Sequence, residues 1–181
     1  NTLTKHWASM PQVDNSSRLL PAPKLTSYTT YSNPIAIGEE LLITKRDLDK
    51  PSRFVALDPK TGHERTLSFT GNISTRPAYD KVNNRIWWTE YRRSTMFEEK
   101  VLSTLCYMDL DRLKPRTQPM QKRNILYPTP DNEGGLAWAE YAADGHYSFH
   151  HRTCDGKELD VDLAFGLEIH SLAWDNLTDL H

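Results

Sequence analysis

The strongest constraint on this chain is a unit of sequence that it repeats. Residues 77–91 and residues 128–141 share one order: a proline-led strand, a polar turn, and a second strand that contains tryptophan and ends in Glu-Tyr. Fainter copies start at Pro34 and at Ile169. A spacing of roughly 40–50 residues between copies indicates an array of like units packed side by side, because a single unit of this size cannot bury its apolar face alone.

Each unit has the pattern of a small antiparallel sheet. Branched and aromatic residues occur in short runs separated by turn residues, which is typical of strands rather than long helices. We predict strands at residues 34–37, 41–45, 53–57 and 64–69 in the first unit, at 75–79, 85–92, 105–110 and within 118–124 in the second, and at 127–129, 136–141, 147–153 and 158–164 in the third. Four short strands in such a repeat are the pattern of a β-propeller blade.

The predicted fold class is therefore all-β, with about three four-stranded antiparallel propeller-type blades and the start of a fourth. Residues 1–31 break the period and are predicted to be an irregular lead-in, while residues 32–181 form a partial propeller. Blades are expected at about 32–72, 74–124 and 126–166, and a fourth begins in 167–181. Closed propellers have about four to eight blades. We therefore expect an incomplete ring, belonging to a larger protein or completed by self-association.

Composition disfavours two classes of partner. The formal net charge of the 181 residues is -2, so no basic field attracts nucleic acid. No apolar run approaches the roughly 20 residues of a membrane helix, and we expect no membrane insertion. We predict no cofactor. Cys106 and Cys154 fall on corresponding strands of neighbouring units in different registers, which favours buried free thiols over a disulfide, although a bridge stays open.

The third unit contains side chains that a metal could use. At about 3.3 Å per residue, His146 and His150 would stand roughly 13 Å apart on one face of a strand, and His151 would point to the other face. We therefore predict satisfied or surface histidines and no metal site. The alternation of acidic and apolar residues in 158–163 predicts the outermost strand of a blade, with calcium binding by Glu158, Asp160 and Asp162 as the less favoured alternative.

Signatures of catalysis are weak. The chain has no Gly-x-Ser-x-Gly elbow and no glycine-rich phosphate loop, and the adjacency of His170 and Ser171 has no activating context. A glycosidase carboxylate pair stays open, because only the separation in space decides it. The carboxylates near the predicted inner strands are Asp80, Glu90, Glu140 and Asp175.

The aromatic residues of the second strands are predicted to pack between blades, with a sugar- or peptide-binding platform as the alternative. They are Trp87, Trp88, Tyr91, Trp138 and Tyr141. Longer connections at residues 93–100 and 111–123 are the places where a repeat array would present a binding surface. The candidate binding residues in and next to these connections are basic, which fits an acidic protein or peptide partner, although a solvated loop is the favoured interpretation: Arg92, Arg93, Lys114, Arg116, Lys122 and Arg123.

Residues 76–89 and 127–139 resemble the TolB-type, WD-like propeller repeat of bacterial cell-envelope proteins, in which a proline-led inner strand and an apolar second strand flank an Asp/Asn/Gly turn. Residues 54–62 are similar to its third strand and following turn. The resemblance implies a periplasmic or cell-surface location and protein binding. Related propellers also flank the catalytic domains of serine peptidases. It supplies no catalytic residue. We therefore predict a noncatalytic protein-binding or scaffolding segment, with the propeller domain of a hydrolase, serine peptidase or glycosidase, as the alternative.

Overall fold

The computed structural model describes residues 28–48, 50–93, 101–118, 124–142 and 144–175. These residues form strands and no helix, and the strands make three four-stranded sheets. Neighbouring strands in every sheet run antiparallel. The predicted all-β fold class is confirmed. Within the described part of the chain, no helix is long and apolar enough to cross a membrane.

The first sheet follows the chain in strand order: β1 (Thr30–Ile37), β2 (Glu40–Arg46), β3 (Arg53–Leu57) and β4 (Glu64–Phe69). A two-residue turn joins β1 to β2, and Gly38 at φ 67° supplies the left-handed conformation that such turns require. The boundaries of β3 and β4 match the prediction. β1 begins at Thr30, inside the stretch predicted to be an irregular lead-in, and residues 1–27 of that stretch lie outside the described residues.

The second sheet contains β5 (Ile73–Asp80), β6 (Arg85–Arg93), β7 (Val101–Asp109) and β8 (Arg116–Thr117). Only β8 departs from the pattern of long strands. Its two residues pair with β7 before the region 118–124 in which we predicted the last strand. Pairing with β7 therefore begins earlier than predicted, at Arg116, and residues 119–123 of the predicted stretch lie outside the described part.

The third sheet contains β9 (Ile125–Pro130), β10 (Leu136–Tyr141), β11 (Tyr147–Arg152) and β12 (Glu158–Asp162). β12 is the outermost strand, as the alternating acidic pattern predicts. Residues 163–175 follow it without forming a strand, although the start of a fourth blade is predicted in 167–181, and residues 176–181 lie outside the described part. A single segment has no partner with which to make a ladder, and sequence alternation alone cannot supply one.

Stacking of the three sheets buries the core. Successive residues of a strand point to opposite faces, and the neighbours Trp87 and Trp88 therefore enter different interfaces. Trp88 meets Phe54 edge to face between the first and second sheets, with ring centroids 5.1 Å apart. Trp87 packs between the second and third sheets in a cluster with Leu105 and Trp138. Both interfaces are apolar and buried.

The sheets are arranged as propeller blades. Their first strands contact each other, β1 with β5 and β5 with β9, whereas β4, β8 and β12 end the sheets on the other side. The first strand of each blade is therefore the inner strand. The described residues supply three blades, fewer than the four or more of a closed ring. Both cysteines are free thiols, as expected; Cys106 is buried in the first interface, whereas the prediction of a buried thiol is wrong for Cys154, which is exposed.

Candidate ligand-binding site on the inner strands

Each inner strand contains the same irregularity. The pairing of β1, β5 and β9 with the second strand of the blade shifts register at a place where two residues oppose one, which is a β-bulge, and β5 has a further shift between Ile73 and Thr75. The two bulged residues are an Xaa-Pro pair in every blade: Asn33 and Pro34, Arg76 and Pro77, Tyr127 and Pro128. Proline explains the position, because it has no N–H to give to a ladder. The proline seen in the sequence repeat therefore marks where the inner strand bends.

The bulges lie beside a cavity of about 310 Å³ between the inner strands. Residues from β1, β5, β9 and the segment after β12 line it: Ile35, Arg76, Pro77, Ala78, Tyr79, Tyr127, Pro128, Thr129, Ser171 and Leu172. Its lining is largely apolar with a few hydroxyl groups and one charge, the composition of a ligand pocket. The chain segment predicted to begin a fourth blade thus contributes a wall of the cavity without forming a strand.

A chain of hydroxyl groups holds the inner strands together next to the cavity. The Tyr127 N–H donates to Thr75 Oγ1 at 3.1 Å, and Thr75 Oγ1 lies 2.6 Å from Thr89 Oγ1. Ser74 Oγ also lies 2.6 Å from Thr89 Oγ1 and accepts a hydrogen bond from Ser103 Oγ at 2.8 Å. Thr89 and Ser103 are fully buried. Buried networks whose donors and acceptors are paired hold a backbone in one geometry. Here the network fixes Thr75, which precedes the bulge of β5, and Tyr127, which lies in the bulge of β9.

Tyr127 and Asn33 are held in the left-handed region, each with φ 53°. Proline disfavours a helical backbone conformation for the residue before it, and a bulky residue at positive φ is rare. Asparagine tolerates this conformation better than tyrosine. Tyr127 therefore carries local strain, of order 1–3 kcal/mol, that the surrounding network maintains. Strain of this kind is concentrated at binding sites.

Arg76 is the one charged residue among the described residues of the lining. It follows Thr75 directly, is exposed, and makes no hydrogen bond or ion pair with any residue in the described ranges. Arg53, Arg85 and Arg152 instead pair with carboxylates at 2.5 to 2.7 Å. Of the charged groups that the structure describes, the cavity thus holds one guanidinium without a counter-ion and no carboxylate.

Two aspartates at the ends of inner strands close the turns that follow them. Asp80 accepts hydrogen bonds from the N–H and the side-chain amide of Asn83, and Asp131 accepts the N–H groups of Glu133 and Gly135. Both are buried to within 2%. Burial acts to raise the pKa of Asp131, but hydrogen bonds from His151 and the two N–H groups outweigh it, and the pKa lies below its ordinary value. These carboxylates are committed to turn structure.

Two glutamates of the second strands are similarly engaged. Trp88 Nε1 donates to Glu90 Oε1 at 2.8 Å, and Trp138 Nε1 donates to Glu140 Oε1 at 2.9 Å. The same Trp-x-Glu contact thus recurs in two blades. Glu90 also accepts the Gly71 N–H. The fourth carboxylate of the glycosidase hypothesis, Asp175, is exposed after β12. Asp80, Glu90 and Glu140 therefore have structural partners, and the structure gives no support to a catalytic pair among them.

The histidines of β11 are satisfied, as predicted. His150 Nδ1 lies 2.6 Å from Asp160 Oδ1, its Nε2 lies 2.7 Å from Ser148 Oγ, and its ring stacks on Trp138. His151 points to the other face, where Nε2 lies 2.9 Å from Asp131 Oδ2. In the described ranges, no group of three or more His, Cys, Asp or Glu side chains is placed to hold a metal ion.

The order Ser148, His150, Asp160 follows that of a catalytic triad, and sequence reasoning missed it because Asp160 comes from the adjacent strand. Glu140 Oε2 lies 3.6 Å from the same His150 Nε2 that would accept the serine proton. The Ser148 hydroxyl and the Glu140 carboxylate thus both lie beside that nitrogen. We interpret these side chains as a hydrogen-bonded cluster that links β10, β11 and β12.

The described members of the predicted basic set lie at different ends of the second blade. Arg92 and Arg93 end β6, whereas Lys114 follows the turn after β7, at the end of the blade where β6 starts with Arg85. Eight residues separate Arg85 from Arg93, roughly 26 Å at about 3.3 Å per residue. Arg116 lies in β8 opposite Tyr107, and Lys114 and Arg116 are exposed. Lys122 and Arg123 lie outside the described residues. Arg92 and Lys114 therefore do not form one patch.

The prediction for the aromatic residues is partly right. Trp87, Trp88 and Trp138 are buried between blades. Tyr91 and Tyr141, at 48% and 41% exposure, are not. They lie where β6 and β10 extend towards the strand ends, beyond the interface. The apolar side of β12 is also exposed, at Leu159 and Val161.

Comparison with known proteins supports the fold. No protein-family model and no curated protein sequence matches the chain. Solved structures do match. The β-propeller domain of the Trilobed protease from Pyrococcus furiosus, which has an open velcro topology, aligns with a TM-score of 0.56 and 14% identity over 77% of this chain and 44% of that one.

Two further structures have the same fold. The Agrobacterium tumefaciens protein described as TolB gives a TM-score of 0.52 and 16% identity over 70% of this chain and 46% of its own. A puromycin-hydrolyzing peptidase of Mycobacterium tuberculosis gives 0.54 and 17% over 78% and 23%. The chain spans less than half the length of each of these three structures. At these identities the likeness establishes the β-propeller fold.

Proposed function

We propose that this chain is a protein-binding or scaffolding segment of a larger cell-envelope propeller protein, and that its cavity between the inner strands holds a peptide. The observation that carries the proposal is the cavity itself: three strained or bulged strands converge on an apolar pocket with one unpaired cation. The carboxylates of the repeat are already engaged in hydrogen bonds. The site therefore offers groups that bind rather than groups that react.

The cell-envelope part of the proposal rests on the TolB likeness, which supports a periplasmic or cell-surface location. The six predicted basic residues give a second candidate contact area for the same partner. Arg92 and Arg93 lie at one end of the second blade, and Lys114 follows the turn at the other, so each end would contact a separate part of the partner.

A selection experiment tests peptide binding. Peptides enriched on the immobilised full chain from a displayed random library would be measured individually by fluorescence polarisation. Ala78→Trp fills the cavity and is expected to abolish binding. Thr66→Trp adds the same side chain on the exposed outer strand β4 and is the matched control. Failure to enrich any peptide, or equal binding by Ala78→Trp, would overturn the proposal.

A second candidate is the propeller portion of a hydrolase whose nucleophile lies outside this chain. Two of the three matching structures are a protease propeller and a peptidase, which favours it. The test is to treat the intact natural protein with a fluorophosphonate probe and map the labelled peptide. Labelling outside residues 1–181 supports the hydrolase; a protein that no serine-directed probe labels supports the binding segment. Labelling of Ser148 would contradict the structural role given to the hydrogen-bonded cluster of Ser148, His150 and Asp160.

A further inference from the structure

Resting on the proposed peptide-binding function, we infer that the inner-strand cavity recognises the free C-terminal carboxylate of a peptide, and that Arg76 is the residue that binds it. The inference names the chemistry of the ligand, which the fold leaves open. It depends on the position of Arg76, on the charges around it and on the size and lining of the cavity.

The bulge decides where Arg76 lies. In a regular strand, a residue at this position would pair with β6. Here the ladder passes from Thr75 opposite Thr89 to Ala78 opposite Trp87, and the bulge takes Arg76 and Pro77 out of it. Arg76 thereby becomes part of the cavity wall beside the equivalent residue of the next blade, Tyr127, whose N–H is bonded to Thr75. The hydroxyl network beneath Thr75 fixes the backbone from which Arg76 extends.

The charge around Arg76 is unbalanced. Among the residues that the structure describes, no carboxylate lines the cavity. The acidic residue of the same strand, Asp80, is buried and already bonded to Asn83 and, at 3.4 Å, to Trp87 Nε1. A guanidinium presents its donors in a planar fork that matches a carboxylate bidentately. An anionic oxygen pair is therefore the ligand group that complements this wall.

Equivalent positions in the other blades sharpen the assignment. The bulge residue that precedes proline is Asn33 in the first blade and Tyr127 in the third, and neither side chain is charged. One cation among three equivalent positions gives a single carboxylate site rather than a ring of positive charge. A ligand with one negative group, approached from one side of the cavity, fits this asymmetry.

The size of the cavity favours the end of a peptide over a passing chain. Its volume of about 310 Å³ lies at the lower limit of ligand pockets. The walls next to Arg76 are apolar, with Ile35, Pro128 and Leu172. A terminal residue with an apolar side chain would place its carboxylate on the guanidinium and its side chain against these walls.

The test uses peptides enriched by the selection described above, each synthesised in three forms: with a free C-terminal carboxylate, with a C-terminal amide, and as the amide with glutamate in the last position. We expect the amide to bind about 10- to 100-fold more weakly than the acid, the range of a lost charge-assisted hydrogen-bonded pair. Arg76→Gln should bind the acid and the amide equally, at the affinity of the wild-type chain for the amide. Arg112→Gln, an exposed arginine outside the cavity, should behave as wild type.

The outcomes separate this inference from the proposed function. If no form of any peptide binds, the peptide-binding function fails. If peptides bind, cavity filling abolishes binding, and acid and amide bind the wild-type chain equally, the function stands and the role of Arg76 is wrong. Equal binding of the acid and of the glutamate-containing amide would overturn recognition of the C-terminus. Thermal unfolding followed by circular dichroism establishes that Arg76→Gln is folded.

Discussion

Individual side chains show that the carboxylates of the repeat have structural roles. Asp80 and Asp131 close turns, and Glu90 and Glu140 receive indole N–H groups from the blade interfaces. Buried donors cost free energy when they lose an acceptor. The carboxylates are therefore repeated because the buried tryptophans and turns need them. Arg76 has no such partner among the described residues and is the residue that we propose for recognition.

Replacing Glu90 with alanine should destabilise the chain strongly. The substitution removes the acceptor for the fully buried Trp88 indole and for the Gly71 N–H. We expect a loss of about 1–3 kcal/mol in the free energy of unfolding, measured by urea denaturation. Glu39→Ala breaks only an exposed ion pair with Lys60 and should change it by less than about 0.5 kcal/mol. Equal effects of the two substitutions would contradict the role of Glu90.

Asp131 should make stability depend on acidic pH. Its pKa is lower in the folded chain than its ordinary value of 3.8, so the carboxylate form is favoured by folding. That contribution is complete above about pH 4 and is lost as the pH falls through the lower folded pKa. Asp131→Asn should flatten the decline of the unfolding free energy in this window, measured by denaturation between pH 5 and the acid limit of folding. An unchanged slope would show that Asp131 does not contribute.

The strands themselves were largely predictable. Residues 53–57, 64–69 and 136–141 have strand boundaries that match those of the structure, because their short apolar runs are bounded by turn signals on both sides. The start of β8 and the irregular 169–174 segment were not predictable. Whether such a segment becomes a strand depends on a partner strand elsewhere, and a local pattern carries no information about that partner.

The site was harder to predict than the strands. The prolines of the repeat were evident, but the bulge that turns Arg76 into a cavity residue exists only in the register between β5 and β6. The prediction that six basic residues contact one partner depended on their proximity in the sequence. Antiparallel β6 and β7 carry the chain from one end of the blade to the other, and this separates Arg92 and Arg93 from Lys114.

The central strands of a blade and its outermost strand should differ in amide hydrogen exchange. β6 and β10 lie inside their sheets and contribute buried tryptophans, whereas β8 has two residues and every residue of β12 is exposed. Amides of β6 and β10 are expected to exchange slowest, and those of β8 and β12 fastest, by mass spectrometry or NMR. Exchange from β12 as slow as that from β10 would indicate that another surface covers it.

For the whole molecule, the third blade presents an exposed apolar surface. Leu159 and Val161 on β12, and Phe165 and Leu167 after it, are 43 to 82% exposed, and surfaces of this kind promote association. We expect the full chain to self-associate in sedimentation equilibrium and the double variant Val161→Asp, Phe165→Asp to shift it towards monomer. Leu48→Asp, exposed on the first blade, is the control. A wild-type chain that stays monomeric at high concentration would contradict the expectation.

The account as a whole depends on three blades arranged radially, with β1, β5 and β9 at the centre. Spin-label distances test this most directly, in a chain whose exposed Cys154 is replaced by serine. One pair would label inner strands, at Ala36 and Thr129, and the other would label outer strands, at Thr66 and Asp162. The account predicts a clearly shorter distance between the inner pair than between the outer pair. An outer distance equal to or shorter than the inner one would contradict it.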